Sequence, residues 1–199
     1  MDWLEEHSAA RSTYRRYYLD ALIEVAQREK DTAEILHLAR ALLLDTGDFK
    51  YYDLLKETLP GQEWPEALEA LIVDLETTPQ GWYVLPEIYA REGMWKRLLE
   101  SALQAGESLL ERYRQALEPR FPEEISKAYE GIVYTMLKHS SDRGTYEHAA
   151  EYLHRMAAMG YGEHVEEIIN DLTSTHRRRR AMIEELNKVR PSVSSLDGN

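Results

Sequence analysis

Apolar residues recur along this chain three and four positions apart, the spacing of amphipathic helices, and no stretch has the alternation of a strand. The clearest case is Trp82 to Gly106. Leu85, Ile88 and Tyr89 give one apolar stripe; Trp95, Leu98, Leu99 and Leu103 give a second. Gly93 lies between them. It suits the left-handed residue that ends a helix, because it has no Cβ to clash. Neither helix can bury its stripe alone, so the short hinge predicts an antiparallel pair.

The same pattern runs through the rest of the chain. After a polar lead-in at Asp2 to His7, the residues Tyr17, Tyr18, Ala21, Leu22 and Val25 predict a helix over 14–28 that packs by that face. Asp31-Thr32 caps a helix with Ile35, Leu36, Leu38, Ala39, Leu42 and Leu43 inward. Tyr52, Leu54 and Leu55 mark a third. Ala67, Leu68, Leu71, Ile72 and Leu75 mark a fourth, opened by Trp64-Pro65. Leu109, Leu110, Tyr113 and Leu117 form the stripe after Gly106. Ala128, Tyr129, Ile132, Val133 and Leu137 form the next, where Gly131 is expected to admit a neighbouring helix closely. Residues 140–144 read as a loop, with Thr145 as the cap of a helix to Met159. Ala149, Ala150, Leu153, Met156 and Ala157 are its inward positions. The last helix carries Val165, Ile168, Ile169 and Leu172, and its period continues past the arginines to Val189.

These elements amount to about ten helices and no strand: an all-α, irregular TPR-like α-solenoid of antiparallel helix pairs. Residues 1–190 form a single repeat domain, and the polar tail 191–199 is expected to be disordered. Three junctions place an aromatic just after a glycine: Gly47 with Phe49, Gly93 with Trp95, and Gly160 with Tyr161. The glycines stand 46 and then 67 residues apart, so the repeat is irregular rather than a strict tetratricopeptide array. The bare start at Met1-Asp2-Trp3 suggests either a truncated chain or a piece of a longer protein.

Composition narrows the function classes. The chain has 199 residues and no cysteine, which excludes disulfides and thiolate metal sites. No apolar run is long enough to span a membrane, and the first residues lack a signal-peptide pattern, so a cytoplasmic location is expected. The formal net charge of −12 repels nucleic acid and anionic membrane at long range. A nucleic-acid role would need a local basic patch.

Tyr14 to Glu57 and Tyr146 to Leu186, above all the ending Thr-Ser-Thr-His-Arg-Arg-Arg-Arg-Ala-Met-Ile-Glu-Glu-Leu at 173–186, resemble the helical-repeat region of bacterial SWIM zinc-finger proteins. The family's zinc finger is a Cys-x-Cys followed by a Cys-x-His. With no cysteine here, no zinc ligand carries over. The resemblance implies the accessory repeat part of such a protein, without its metal-binding part and with only a weak link to DNA.

Candidate chemistry is sparse. Glu34/His37 and Glu151/His154 are both Glu-x-x-His on helices, the spacing used by carboxylate-bridged di-iron bundles. Both lie opposite the apolar stripes, so solvated helix surface is the plainer reading, and no metal is expected. No phosphate-cradling glycine loop and no nucleophile with a visible base occur, so neither an enzyme nor a cofactor is expected. Thirteen tyrosines and four tryptophans at helical spacing read as core. Arg177 to Arg180 is the sharpest local feature. It can be structural, with Arg180 pairing Glu184, or it can contact phosphate or an acidic partner. If the last helix projects there, its apolar end docks a partner. The partner-binding candidates are therefore Arg177, Arg178, Arg180, Met182, Ile183 and Leu186. The expected function is a non-enzymatic scaffold for protein–protein interaction within a larger protein or complex. The alternative is a nucleic-acid-associated module using the arginines.

Overall fold

The computed structural model describes residues 2–139 and 142–190, and their regular structure is entirely α-helical. The expected tail 191–199 and the loop residues Ser140 and Ser141 lie outside the described residues. The chain divides into two compact units, Met1–Met94 and Trp95–Asn199. Unit 1 holds α1 (Asp2–Glu29), α2 (Thr32–Thr46), α3 (Phe49–Thr58), α4 (Trp64–Glu76) and α5 (Gly81–Arg91). Unit 2 holds α6 (Trp95–Ala105), α7 (Glu107–Leu117), α8 (Pro122–His139), α9 (Arg143–Ala158), α10 (Gly162–Thr175) and α11 (Arg180–Asn187).

Within unit 1, α2 packs on α1, α3 and α4, and α4 packs on α5. Within unit 2, α6 packs on α7 and α8 on α9, and α9 also carries α10 and α11. The Gly93 hinge therefore falls at the division between units. The two stripes read together in the sequence find their main partners in α4 and α7.

Local chemistry sets the element ends. Asp31 caps α2 by accepting the Glu34 amide at 3.1 Å. Asp48 caps α3 by accepting the Lys50 amide at 3.1 Å. Gly47 ends α2 at φ 67°. The Tyr83 hydroxyl, which donates to the Thr46 carbonyl at 3.1 Å, occupies the space a Cβ would need. Gly93 takes φ 68°, and the Met94 amide closes the end of α5 on the Tyr89 carbonyl at 2.8 Å. Gly160 ends α9 in the same way, with the Tyr161 amide on the Met156 carbonyl at 3.1 Å. At the start of α9, Asp142 accepts the Thr145 amide at 2.9 Å. Asp142 is thus the cap, and Arg143 and Gly144 belong to the first turn rather than to a loop.

The buried set follows the stripes closely in the middle of the chain. Leu42, Leu43, Leu75 and Ile88 are fully buried in unit 1, and Leu98, Leu117, Val133, Leu153, Met156 and Ile169 in unit 2. The tyrosines add a polar component. Tyr51 donates to Asp20 at 2.8 Å, Tyr129 to Glu118 at 2.9 Å, Tyr152 to Glu107 at 2.9 Å and Tyr134 to Asp171 at 3.0 Å. Tyr52 donates to Glu92. The rings of Tyr51, Tyr52, Tyr129 and Tyr152 are buried in their own unit and that of Tyr134 is exposed, while each hydroxyl clips a neighbouring segment, which suits an aromatic with one polar end. Burial first, and the carboxylate acceptor second, push the Tyr52, Tyr129, Tyr134 and Tyr152 hydroxyls up, Tyr134 to about 12.

Candidate binding surfaces

Several residues on the edges of the expected stripes are only half covered, and they line two open clefts. In unit 1, Leu36, Leu59 and Ala67 flank a cleft of 310 Å³ between α2, α3 and α4, floored by Leu55, Trp64 and Leu71. Its polar rim is already neutralised. Arg40 Nε donates to Asp74 at 2.8 Å. Behind the floor, the Trp64 indole N–H donates to Glu92 at 3.3 Å, and Glu92 also accepts from Lys56 at 2.5 Å and from Tyr52. Burial pushes the Glu92 carboxyl up, but the bonds from Lys56, Tyr52 and Trp64 outweigh it and hold it below the usual carboxylate range. The floor is thereby fixed in position, while the opening stays apolar.

In unit 2, Leu103, Leu110, Ala128, Ile132 and Met136 line a second cleft of 520 Å³ beside α8. Gly131 lies in it. A Cβ there would meet nothing within 4 Å, so the close helix approach expected at this glycine does not occur.

The arginine run lies on a break, not on a continuous helix. α10 ends at Thr175, and its C-cap His176 donates its amide to the Leu172 carbonyl at 3.0 Å. The Arg179 amide then turns back to the His176 carbonyl at 2.9 Å, and the Arg179 guanidinium donates to the Leu137 carbonyl of α8. The break redirects the chain so that α11 folds back onto α9 and α10. Met182, Leu186 and Val189 are fully buried there. This corrects the expected projecting helix. Met182 and Leu186 are core residues and cannot contact a partner, while Ile183 is half buried. Glu185, also buried, accepts from Arg143 at 2.6 Å and from Lys188. Lys188 first, against burial, and then Arg143 hold its carboxyl below the usual range. Glu184 stands 3.8 Å from Arg143 and does not pair with Arg180 as the spacing suggests. Arg177, Arg178 and Arg180 are exposed; Arg177 donates to the Ser174 carbonyl at 3.1 Å.

The Glu-x-x-His pairs divide between the units. Glu34 and His37 are exposed on α2, where His37 joins the rim of the unit 1 cleft. Glu151 and His154 lie on α9. Among the described residues, no group of three or more His, Asp or Glu side chains could hold a metal ion. No described helix is long and apolar enough to cross a membrane.

On α1 the face expected inward is the outward one. Ile23 and Ala26 are buried, whereas Tyr14, Tyr17, Tyr18 and Val25 are 77%, 68%, 64% and 45% exposed. Ala21 is exposed with them. The reversal has a simple origin: α1 carries apolar residues on two faces, and the face with fewer aromatics is the one that packs. Nothing in the sequence marks the clefts directly, except that several stripes are one residue wider than a single partner helix can cover.

These features define an all-α protein of paired neighbouring helices with open apolar clefts. No family model matches the chain, no curated protein matches it and no solved structure matches it.

Proposed function

We propose that the protein is a non-enzymatic helical scaffold that binds a protein partner, as an accessory, cytoplasmic part of a larger protein or complex. The observation that supports this most is the unit 1 cleft. It offers a rigid floor at Leu55, Trp64 and Leu71, apolar walls at Leu36, Leu59 and Ala67, and a rim whose Arg40 charge is cancelled by Asp74. Such a surface suits the apolar face of a peptide segment, where a buried aromatic acts as anchor. The shifted tyrosine and carboxylate groups are tied to one another and brace helices, so none is poised as a general acid or base. The resemblance of the chain's two ends to SWIM-associated repeats agrees with an accessory role.

A second reading rests on Arg177, Arg178 and Arg180, which are exposed together on the α10–α11 turn and suit phosphate. One experiment separates the two: affinity capture from the native cell, with and without nuclease. We expect Ala67→Glu to lose the captured partner while the thermal unfolding transition stays nearly unchanged, and expect nuclease and the variant Arg177→Gln/Arg178→Gln/Arg180→Gln to leave capture intact. Retention of every partner by Ala67→Glu overturns the cleft; loss with nuclease and with the arginine variant establishes the second reading.

A further inference from the structure

The charges that line the unit 1 cleft cancel, but those one position further out do not. Between Asp31 and Met94 the chain has thirteen Asp and Glu but only four Lys and Arg. Each of the four cations is already tied to a carboxylate: Arg40 to Asp74, Lys50 to Asp20 at 3.0 Å, Lys56 to Glu92 at 2.5 Å and Arg91 to Glu87 at 3.0 Å. On α4, one wall of the cleft, there is no Lys or Arg at all. The helices that form the cleft therefore leave no cation to receive an acidic segment.

Carboxylates are left on both walls. On α2, Glu34 stands one turn before His37 of the rim; on α4, Glu63 stands one turn before Ala67, with Glu66 beside it. All three are exposed, and among the described residues none of them has an ion-pair partner. The helix N-termini on which they lie favour a carboxylate but supply only about half a positive charge each. Lys30, just before α2, is matched by the adjacent carboxylate of Asp31. An apolar floor between two acidic flanks is complementary to a segment that is apolar in the middle and basic at its sides. The net charge of −12 acts in the same direction at long range, drawing a basic segment in and repelling an acidic one.

We propose that the occupant of the unit 1 cleft is a basic amphipathic segment of a partner protein. Its apolar side chains seat on Leu55, Trp64 and Leu71, and Lys or Arg on its two flanks face Glu34 on one wall and Glu63 and Glu66 on the other. This rests on the cleft reading above and adds the chemistry of the partner. The apolar anchors supply the affinity and the flanking charges choose among segments, because exposed pairs are individually weak but reject a segment of the wrong sign.

The test is selection of binders to the full-length protein from a library of random peptides. Ala67→Trp and Leu36→Trp, on opposite walls, each fill the cleft without changing charge. Whichever keeps the wild-type unfolding transition serves as the blocked form, and the peptides of interest are those that bind wild type and not the blocked form. These are expected to combine Leu, Ile, Phe or Trp with Lys and Arg. The variant Glu34→Gln/Glu63→Gln/Glu66→Gln, changed only at exposed positions, should weaken them about tenfold at low salt and less at high salt. Cleft-dependent peptides that are neutral or acidic, or that bind the triple variant as tightly as wild type, would overturn the proposal and leave the cleft as a docking site. A selection that yields no peptide sensitive to the blocked form would overturn the cleft reading, and the proposal with it.

Discussion

The helices α1 and α11 carry the same kind of signal and meet opposite fates. Each has an apolar stripe flanked by charge. On α11 most of the stripe is consumed: Met182 and Leu186, with Val189 just beyond the helix, are buried, Ile183 is half buried, and buried Glu185 is locked by Arg143 and Lys188. On α1 a modest face, Ile23 and Ala26, is consumed, and the heavier one, with three tyrosines, stays in solvent. The difference arises at the breaks. The turn at His176 to Arg179, pinned by the Leu137 carbonyl, folds α11 back onto α9 and α10. No turn interrupts α1, a single helix of 28 residues, so one face alone can lie on α2. An apolar stripe therefore reports that burial is available; the chain path decides whether it occurs.

Substitutions can break this comparison. The largest effect is expected for Leu186→Asp, which places an unpaired carboxylate at a fully buried site. A loss of about 3–5 kcal/mol is expected in urea unfolding followed by circular dichroism. A loss below about 1 kcal/mol would mean that α11 stands free of unit 2. The two faces of α1 supply the next test. Ile23→Ala removes buried side chain and should cost about 2–4 kcal/mol, whereas Val25→Ala on the outward face should stay within about 0.5 kcal/mol. Equal losses in the two variants would mean that the outward face is covered in the folded chain.

The smallest effect sharpens the account of unit 2, where α10 supports α11. His164 on α10 pairs with Glu130 of α8 at 2.9 Å and with Glu167 at 3.3 Å. The Glu130 hydrogen bond is the main cause that raises its pKa above the ordinary value; partial burial opposes it and Glu167 adds to it. Protonation thus favours the folded state. The contribution is fully present below the unfolded-state value of about 6.5 and is lost as pH rises through the higher folded value. Because the side chain is 43% exposed, the gain stays under about 1 kcal/mol. His164→Gln should flatten the stability profile between about pH 6 and 8, as measured by urea midpoints. An unchanged profile would show that the pair contributes nothing.

The clefts were half legible. Spacing places Leu36 and Ala67 in unit 1, and Leu103, Ala128 and Ile132 in unit 2, on inward faces, and all five line an opening instead. Hydrophobic spacing identifies the face a residue lies on, but not how far the neighbouring helix extends over that face. Met182 and Leu186 turn inward for another reason. Periodicity continued through 176–179 with no proline or glycine to mark a stop, and the break depends on a carbonyl of α8, forty-two positions away.

Local chemistry along the chain was enough to determine the helices, most of their ends and the central core. Helix spacing, an Asp31 cap and glycines such as Gly47, Gly93 and Gly160 act over one or two turns, which a linear reading can span. The pairing partners of α5 and α6, the outward turn of the α1 tyrosines and the burial of α11 were decided only by tertiary structure. Each depends on which of two available apolar faces a distant helix covers, and that competition is settled by packing across the fold, with no record in local spacing.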